Sequence, residues 1–185
     1  MTMDKYKVLF AGDVGAGKTT AIGSISDIPP IYTDVKASDA EQIGKTHTTV
    51  AFDYGEVNLP YLQNRLRLYG LPGQTRFSFI WEMLCEGMLG TIILANNSKP
   101  NALEETQTFI QAFNPFIQKS KTAIILGITK TDIASHFKIS DYYNMLSQNG
   151  ICAPIFSIDA REKGSVLLLI DALLSQIEAV HIMKN

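Results

Sequence analysis

GDVGAGKT at residues 12–19 matches the pattern G-x-x-x-x-G-K-[ST] in full. The apolar run Tyr6–Ala11 precedes it and indicates a buried strand, and a helical pattern near Lys18–Asp27 follows it. Glycines let a backbone approach phosphate oxygens closely, and the N–H groups of such a loop and of the helix start bind anions. The stretch therefore predicts a phosphate-binding loop between a strand and a helix.

The lysine of this loop and the hydroxyl residue after it carry most of its chemistry. Lys18 is expected to reach the β- and γ-phosphates of a nucleotide, and Thr19 is expected to bind Mg²⁺ through its hydroxyl. The loop alone does not distinguish GTPases from ATPases and nucleotide kinases. The nucleotide-contacting residues that we predict here are Gly12, Asp13, Val14, Gly15, Ala16, Gly17, Lys18, Thr19 and Thr20.

Strand and helix signals alternate along the rest of the chain, which favours an α/β fold with a mostly parallel sheet covered on both faces. Pro29 and Pro30 end the first helix, and the polar stretch Ile31–His47 follows without clear periodicity, so we predict a long functional loop there. The 185 residues fit one domain, residues 1–185. Further strands are predicted at Thr49–Leu59, Arg65–Tyr69, Leu89–Ala95, Thr122–Ile128 and Ala153–Ile158, and further helices near Phe77–Glu86, Ala102–Gln118, Ser140–Gln148 and Ser165–Val180.

Composition narrows the expected partners and location. A net charge of -2 gives no reason to expect a nucleic-acid partner. Cys85 and Cys152 lie in apolar stretches without a short spacing between them, so we expect buried free thiols rather than a zinc or redox site. No secretory signal, membrane-spanning run or lipidation motif is evident. We therefore expect a cytoplasmic protein without a direct lipid anchor, recruited to a membrane only through a partner.

A base-selecting segment is predicted at Thr129-Lys130-Thr131-Asp132, which follows a predicted strand at the sheet edge where ligands of doubly wound folds bind. A carboxylate there can accept two N–H bonds from guanine, whereas adenine would leave it unpaired. Taken alone, the same residues also suit an ordinary strand-to-helix turn capped by Asp. After the next strand, a backbone N–H could touch the guanine oxygen. The predicted base-contacting residues are Thr129, Lys130, Asp132, Asp159, Ala160 and Arg161.

Two further segments are candidates for sensing a γ-phosphate. In LPGQTRF at residues 71–77, Gly73 can present its N–H to the phosphate and Gln74 can orient an attacking water; a plain Pro-Gly turn is the alternative. In KTHTT at residues 45–49, a hydroxyl can complete the Mg²⁺ shell, with Thr49 as first choice and Thr48 as second; β-propensity at a strand start is the alternative. The predicted catalytic residues are thus Lys18, Gly73 and Gln74, and the predicted metal ligands are Thr19 and Thr49.

Together these motifs resemble those of the Ras-like small GTPases from end to end. GDVGAGKT is similar to their phosphate loop, TKTD to the Thr-for-Asn form of their guanine motif, and DAR takes the place of their last motif. KTHTTVAFDYGEV and LYGLPGQTRF look like the bacterial and archaeal branch, which includes the gliding-motility polarity GTPase and GTPases encoded beside roadblock-domain proteins. The resemblance implies a three-layer P-loop NTPase fold with a six-stranded sheet and five helices. It also implies a monomeric switch that binds GTP, GDP and Mg²⁺, with roadblock-domain activators or scaffolds as partners.

Three positions depart from the family pattern. Gly70 stands where most Ras-like proteins have the Asp that holds a Mg²⁺-bound water, and Val14 replaces a Gly that leaves room for an arginine finger. Thr48 stands where the gliding-motility GTPase carries its own arginine. Without such a finger a rate factor of ~10³–10⁵ is missing, so slow intrinsic hydrolysis is predicted.

Signalling to an effector is expected through the switch segments 31–49 and 71–83. Phe77, Phe79, Ile80 and Trp81 make the second segment unusually aromatic, which suits either a partner surface or the packed face of a short helix. Two alternative functions stay open from the sequence. They are a catalytically silent GTP-binding scaffold and, less favoured because the chain lacks an Arg-rich lid, a P-loop kinase.

Overall fold

The computed structural model describes residues 6–29, 31–36, 49–120, 122–134 and 136–183. These residues form a mostly parallel sheet flanked by five helices, which confirms the predicted three-layer P-loop NTPase architecture. The strands are β1 (Lys7–Ala11), β2 (Ile31–Lys36), β3 (Thr49–Val57), β4 (Leu66–Gly70), β5 (Gly90–Asn96), β6 (Ala123–Thr129) and β7 (Ile155–Ser157). The helices are α1 (Lys18–Ile25), α2 (Ser78–Cys85), α3 (Ala102–Ser120), α4 (Ile139–Gln148) and α5 (Lys163–Met183).

The order of strands across the sheet is β2-β3-β4-β1-β5-β6-β7. β1 lies between β4 and β5 and is parallel to both, whereas β3 lies between β2 and β4 and is antiparallel to both. All seven residues of β5 are buried, as expected for a parallel strand with helices on both faces. The chain moves to opposite sides of β1 after the first helix and after β4, so the carboxyl end of β1 is a switch point where ligands of such sheets bind.

The strand β2 is a correction to the sequence analysis, which predicted the stretch Ile31–His47 as a loop. Its first six residues pair with β3 in register from Ile31 opposite Tyr54 to Lys36 opposite Thr49. The local sequence shows no alternation, and the pairing depends on the edge that β3 offers. The described sheet therefore contains the six expected strands and this additional edge strand.

Two apolar layers hold the helices on the sheet. One face packs α1 and α5 around Ile22, Phe10 and Leu169, and the other packs α2, α3 and α4. The second layer is organised by Trp81, which is fully buried, with its ring centroid 5.3 Å from Phe109 and 5.5 Å from Phe113. This aromatic packing fixes α2 on α3 and anchors the end of the 71–83 segment.

The cysteines differ from the prediction of buried thiols. Cys152 is exposed and Cys85 is half-buried, and both are free. Cys152 follows α4 in a connection to β7, where only alternate residues face the core. Burial raises the pKa of the Cys85 thiol to about 11, so Cys85 has little thiolate character. Within the described ranges, no helix is both long enough and apolar enough for a bilayer crossing.

Candidate nucleotide-binding site

The loop at residues 12–19 follows β1 and turns into α1, as the sequence predicts. Gly12, Gly15 and Gly17 have positive φ values of 132°, 78° and 97°, which L side chains rarely adopt. At Gly12 a side chain is also excluded by space, because its Cβ would lie 2.2 Å from the Leu94 carbonyl oxygen. Among the residues that the structure describes, no side chain caps the start of α1, and no acidic residue lies in the first turn of this helix. The backbone N–H groups there can therefore bind phosphate oxygens.

Lys18 lies folded over this loop. Its Nζ donates to the carbonyl oxygens of Gly12 and Asp13, both at 2.8 Å. Burial lowers the pKa of Lys18 to about 8, despite the raising influence of Asp13 and Asp53. A buried ammonium with only neutral acceptors in direct contact is well placed to gain from an anionic phosphate.

Thr19 and Asp53 form a hydroxyl–carboxylate pair beside the loop. Thr19 Oγ1 donates to Asp53 Oδ2 at 2.7 Å, linking α1 to β3. Asp53 lies directly opposite Gly70 in the register of β3 and β4. A Cβ on Gly70 would lie 2.8 Å from Asp53 Oδ2, so the Asp53 carboxylate takes the space that a side chain at position 70 would need. Position 70 thus lacks the expected Asp, and a carboxylate from the neighbouring strand lies beside it.

This pair could hold Mg²⁺, because the ion prefers hard oxygen ligands and is bound by few protein groups together with substrate phosphates. The described residues contain no group of three or more His, Cys, Asp or Glu that could hold a metal ion. A magnesium ion at Thr19 and Asp53 would therefore depend on a bound polyphosphate for further ligands.

Gly73 packs directly against the phosphate loop. A Cβ on Gly73 would lie 2.7 Å from Val14 N and from the carbonyl carbon of Asp13. The segment is tethered at both ends, because Leu71 N donates to Phe10 O at 2.8 Å and Trp81 Nε1 donates to Pro72 O at 3.1 Å. Between these tethers, Gln74 is exposed to solvent. The geometry brings Gly73 against the loop and leaves Gln74 exposed, and the contact of Gly73 with a γ-phosphate stays a prediction.

Asp132 follows β6 and its carboxylate points to an arginine of the last motif. Arg161 Nη2 donates to Asp132 Oδ2 at 2.7 Å and to Asp159 Oδ2 at 2.6 Å. Arg161 Nε donates to both oxygens of Asp159, at 2.9 Å and 3.0 Å. The hydrogen bonds to Arg161 hold the pKa of Asp159 below its usual range. Asp132 can therefore accept a hydrogen bond from a planar group of N–H donors.

Buried polar contacts join the base-selecting segments to the phosphate loop. Thr129 is 1% exposed, and its Oγ1 donates to Ala16 O at 3.0 Å and lies 3.1 Å from Ala95 O. A Cβ on Gly17 would lie 3.2 Å from Ala160 Cβ, so the last motif also reaches the loop. The two motifs and the phosphate loop thus converge at the carboxyl ends of β1, β6 and β7, as the sequence predicts.

Some predicted residues lack a described contact, and three contributing residues were missed. Thr49 begins β3, opposite Lys36, and its side chain is outside the description; Thr48 lies outside the described residues. Asp53 escaped prediction, although a carboxylate within a β-rich run is a signal. Asn96 and Asn97, two consecutive amides at the end of an apolar strand, were also overlooked; Asn96 Nδ2 donates to Gly15 O at 3.3 Å.

The aromatic stretch of the second switch segment divides between core and surface. Ile80 and Trp81 are buried, whereas Phe79 and Met83, one helical turn apart, are each 51% exposed. Phe77 is half-buried, with its ring centroid 6.4 Å from that of Phe79. The core-packing interpretation thus holds for Ile80 and Trp81, and a partner surface at the exposed side of α2 stays a prediction.

Comparison with known proteins supports a Ras-like relationship at low identity. The chain is 23% identical over 189 residues to the Ras-related protein RabC of Dictyostelium discoideum, covering 97% of this chain and 86% of RabC. It is 20% identical over 187 residues to RabF1 of the same organism, covering 97% and 90%. It is also 26% identical over 158 residues to the uncharacterized protein MJ1339 of Methanocaldococcus jannaschii, covering 85% and 86%.

A protein family described as conserved hypothetical ATP binding protein matches residues 30–153, which is more than half of the 185 residues. The matched part begins after the phosphate loop and includes the strand that carries Asp53, the second switch segment and the TKTD motif. The complete loop motif lies just before it and agrees with nucleotide binding. With its Ras-like fold and a site assembled around that loop, this P-loop chain belongs to the family of conserved hypothetical ATP binding proteins.

Proposed function

We propose that this chain is a molecular switch that binds GTP and GDP with Mg²⁺ and hydrolyses GTP slowly. The observation that carries the proposal is the Asp132 carboxylate, which accepts a hydrogen bond from the Arg161 guanidinium at 2.7 Å. Guanine presents neighbouring N–H donors on one edge, as a guanidinium does. Adenine presents a ring acceptor there and would leave the carboxylate unpaired, which costs free energy. This acceptor supports GTP over ATP, although the family is described by ATP binding.

Arg161 need not compete strongly with guanine for the Asp132 carboxylate. Its contact with Asp132 is an exposed ion pair, with side chains 65% and 52% exposed, and such pairs contribute about 0–1 kcal/mol. Three further side-chain contacts hold the guanidinium on Asp159. Arg161 can therefore release Asp132 to guanine while staying at the edge of the base site.

Phosphate binding and the metal are assigned to the loop and to the pair beside it. Lys18 and the loop N–H groups would hold the phosphates, and Thr19 with Asp53 would hold Mg²⁺; Thr49 is the further ligand proposed for the GTP-bound state. The ion neutralises charge on the β- and γ-phosphate oxygens. Asp53 would supply the carboxylate that most Ras-like proteins carry at the position of Gly70. Gly70 therefore does not argue against a working metal site.

Hydrolysis and switching are assigned to the segment Leu71–Met83. Gly73 packs on the phosphate loop, so its N–H could contact a γ-phosphate, and the exposed Gln74 would turn toward that phosphate to orient water. The tethers at Leu71 and Trp81 confine any rearrangement to the exposed residues between them. Loss of the γ-phosphate contact would then change this short stretch and the α2 surface that follows it.

The base preference can be tested by replacing Asp132 with asparagine. Asp132→Asn turns one acceptor into an N–H₂ donor that faces guanine donors, so GDP affinity should fall about 100-fold or more. Affinity for xanthosine diphosphate, which has a carbonyl in place of the amino group, should rise relative to GDP. Calorimetry measures both. Asp171→Asn is a matched control, because Asp171 lies on α5 and accepts from Tyr61 instead. Unchanged GDP affinity in Asp132→Asn would refute guanine recognition by this residue.

The hydrolysis rate separates a working switch from a silent scaffold. Two of the described arginines, Arg65 and Arg161, are held in ion pairs with carboxylates, and Val14 within the phosphate loop is 50% exposed. We expect a single-turnover rate on the order of 10⁻⁴–10⁻² s⁻¹ without partners, and a further drop of roughly tenfold in Gln74→Leu. A rate near ~1 s⁻¹ would contradict the predicted need for an activator. Intact GTP binding with the same residual rate in both proteins would favour the scaffold.

Partners are proposed to bind the exposed face of α2. Phe79 and Met83 offer adjacent apolar side chains directly after the γ-phosphate sensor, and aromatic residues and Met are enriched at protein interfaces. A roadblock-domain activator or scaffold stays a prediction from the resemblance of the switch segments.

A further inference from the structure

Two consecutive asparagines at the end of β5 point to different halves of the nucleotide site. Asn96, the last residue of β5, donates from Nδ2 to Gly15 O in the phosphate loop at 3.3 Å. Asn97 comes next, is 1% exposed, and directs its amide toward the segment after Asp132. A buried amide needs several hydrogen-bond partners, so the partners that Asn97 contacts determine the orientation of its side chain.

The side chain of Asn97 holds both main-chain groups of Phe137. Asn97 Nδ2 donates to Phe137 O at 3.0 Å, and Phe137 N donates to Asn97 Oδ1 at 3.2 Å. The same oxygen accepts from the hydroxyl of Tyr142 in α4 at 3.0 Å. Tyr142 is fully buried, so its hydroxyl is a further buried partner of the amide oxygen. The Asn97 amide thus makes two hydrogen bonds to the Phe137 main chain, as the main chain of a neighbouring strand would.

The main chain of Asn97 holds the other end of the same segment. Asn97 N donates to Thr129 O at 3.0 Å, and His136 N donates to Asn97 O at 3.4 Å. One residue thus contacts both flanks of the segment that carries Lys130 and Asp132. Lys130 has φ 60°, a left-handed conformation that a non-glycine residue keeps only where its surroundings impose it.

Asp132 itself has few supports. Its side chain is 52% exposed, and its described ion pair is with Arg161, whose side chain is 65% exposed. Its position therefore depends on the backbone of its segment, and hence on the contacts that hold both flanks. A carboxylate displaced by about 1 Å loses the geometry that two parallel N–H bonds to a base require.

We propose that Asn97 is a positioning residue for base selection, which acts by fixing the segment that presents Asp132 to guanine. This inference rests on the proposed function. Asn96 serves the phosphate loop and Asn97 serves the base segment, so the two residues should have separable effects. Loss of the Asn97 amide should reduce discrimination between bases, whereas loss of the Asn96 amide should weaken all nucleotides alike.

The test compares GDP with inosine diphosphate, which lacks the amino group that donates one of the two bonds to Asp132. Calorimetry gives the affinities of both and of ADP for the wild-type protein, Asn97→Ala, Asn97→Asp, Asn96→Ala and Tyr142→Phe. In the wild type we expect GDP to bind about tenfold or more tighter than inosine diphosphate, since a bond to a charged group is lost. This ratio should fall to near one in both Asn97 variants while ADP affinity changes less than about threefold.

The other variants separate positioning from general destabilisation. Asn96→Ala should lower the affinities for GDP, inosine diphosphate and ADP by a similar factor and keep the GDP preference. Tyr142→Phe keeps both contacts of Asn97 with Phe137, so the preference should survive even if the melting temperature falls. Asn97→Asp keeps the shape and the acceptor if the alanine variant does not fold. A GDP preference that persists in a folded Asn97 variant overturns the inference, whereas a wild-type protein without any GDP preference overturns the proposed function instead.

Discussion

Replacing Lys18 with methionine is expected to lower the affinity for GTP and GDP by roughly 10²–10⁴-fold, because two charge-assisted bonds to phosphate are lost. The wild-type Nζ already reaches the two loop carbonyls at 2.8 Å, so it needs little reorganisation to meet a phosphate bound by the same loop. Methionine keeps much of the chain volume, so the melting temperature without nucleotide should change little. Affinity within about threefold of wild type would show that the loop does not bind phosphates through this lysine.

The same lysine predicts a pH dependence of binding. Burial lowers its pKa to about 8 in the nucleotide-free site, and a bound phosphate should raise that pKa by stabilising the ammonium. Above pH 8, binding must therefore take up a proton that the empty site has lost. Affinity should be constant below this pH and fall by up to about tenfold per pH unit above it.

Lys18→Arg is the matched control for the pH series, because an arginine stays protonated throughout. The affinity of this variant is expected to be lower than that of the wild type. Between pH 7 and 9, the protonation state of residue 18 should no longer change this affinity. Any slope that it shares with the wild type would come from the nucleotide or from other residues. Parallel slopes in the two proteins would contradict the role assigned to the Lys18 pKa.

Exchanging the residues at positions 53 and 70 should preserve Mg²⁺-dependent binding, whereas losing the carboxylate should not. Asp53→Asn keeps the shape and the contact with Thr19 but removes the charge. We expect it to reduce apparent Mg²⁺ affinity, measured with GTP present, by at least the roughly 10–100-fold that is lost when a partner of a metal ligand is removed. Binding measured without Mg²⁺ should change far less, because Asp53 is then a source of repulsion toward phosphate.

The double variant Asp53→Gly with Gly70→Asp moves the carboxylate to the facing position of the register. Position 70 has no positive φ, and its obstacles are Asp53 itself at 2.8 Å and Ile22 Cδ1 at 3.2 Å, so removing the Asp53 side chain makes room. We expect Mg²⁺ affinity to recover to within about tenfold of wild type. The remaining loss would come from the glycine introduced into β3 and from the imperfect position of the new carboxylate. If Asp53→Asn matched the wild type in Mg²⁺ dependence, Asp53 would have no role in metal binding.

The sequence predicted those parts of the site whose motif is contiguous. GDVGAGKT and TKTD each specify a local turn next to a buried strand, and the sheet brings strand ends together by topology. The contacts of Lys18, Gly73 and Thr129 with the loop follow from that arrangement. Helix and strand positions were also predictable, because the apolar runs of β1, β5 and β6 are continuous and buried.

The features that could not be predicted from the sequence depend on contacts between residues that lie apart in the chain. Asp53 matters because antiparallel register places it opposite Gly70, and register is a property of two strands. The absent Asp at position 70 was visible, and a search for a carboxylate on the neighbouring strand would have found Asp53. β2 forms because β3 presents an edge, and Cys152 is exposed because of how the chain leaves α4. Neither is encoded in local periodicity.

Calorimetric titration can decide whether the chain is a guanine-nucleotide switch that uses Mg²⁺. Nucleotide-free protein is titrated with GDP, GTP and ATP, each with and without Mg²⁺. Tight binding of GDP and GTP, strengthened by Mg²⁺, with ATP weaker by about 100-fold or more, is the result that we predict. ATP binding equal to or tighter than GTP binding would contradict it and favour an ATP-binding or kinase function, and GTP binding indifferent to Mg²⁺ would contradict the assigned metal site.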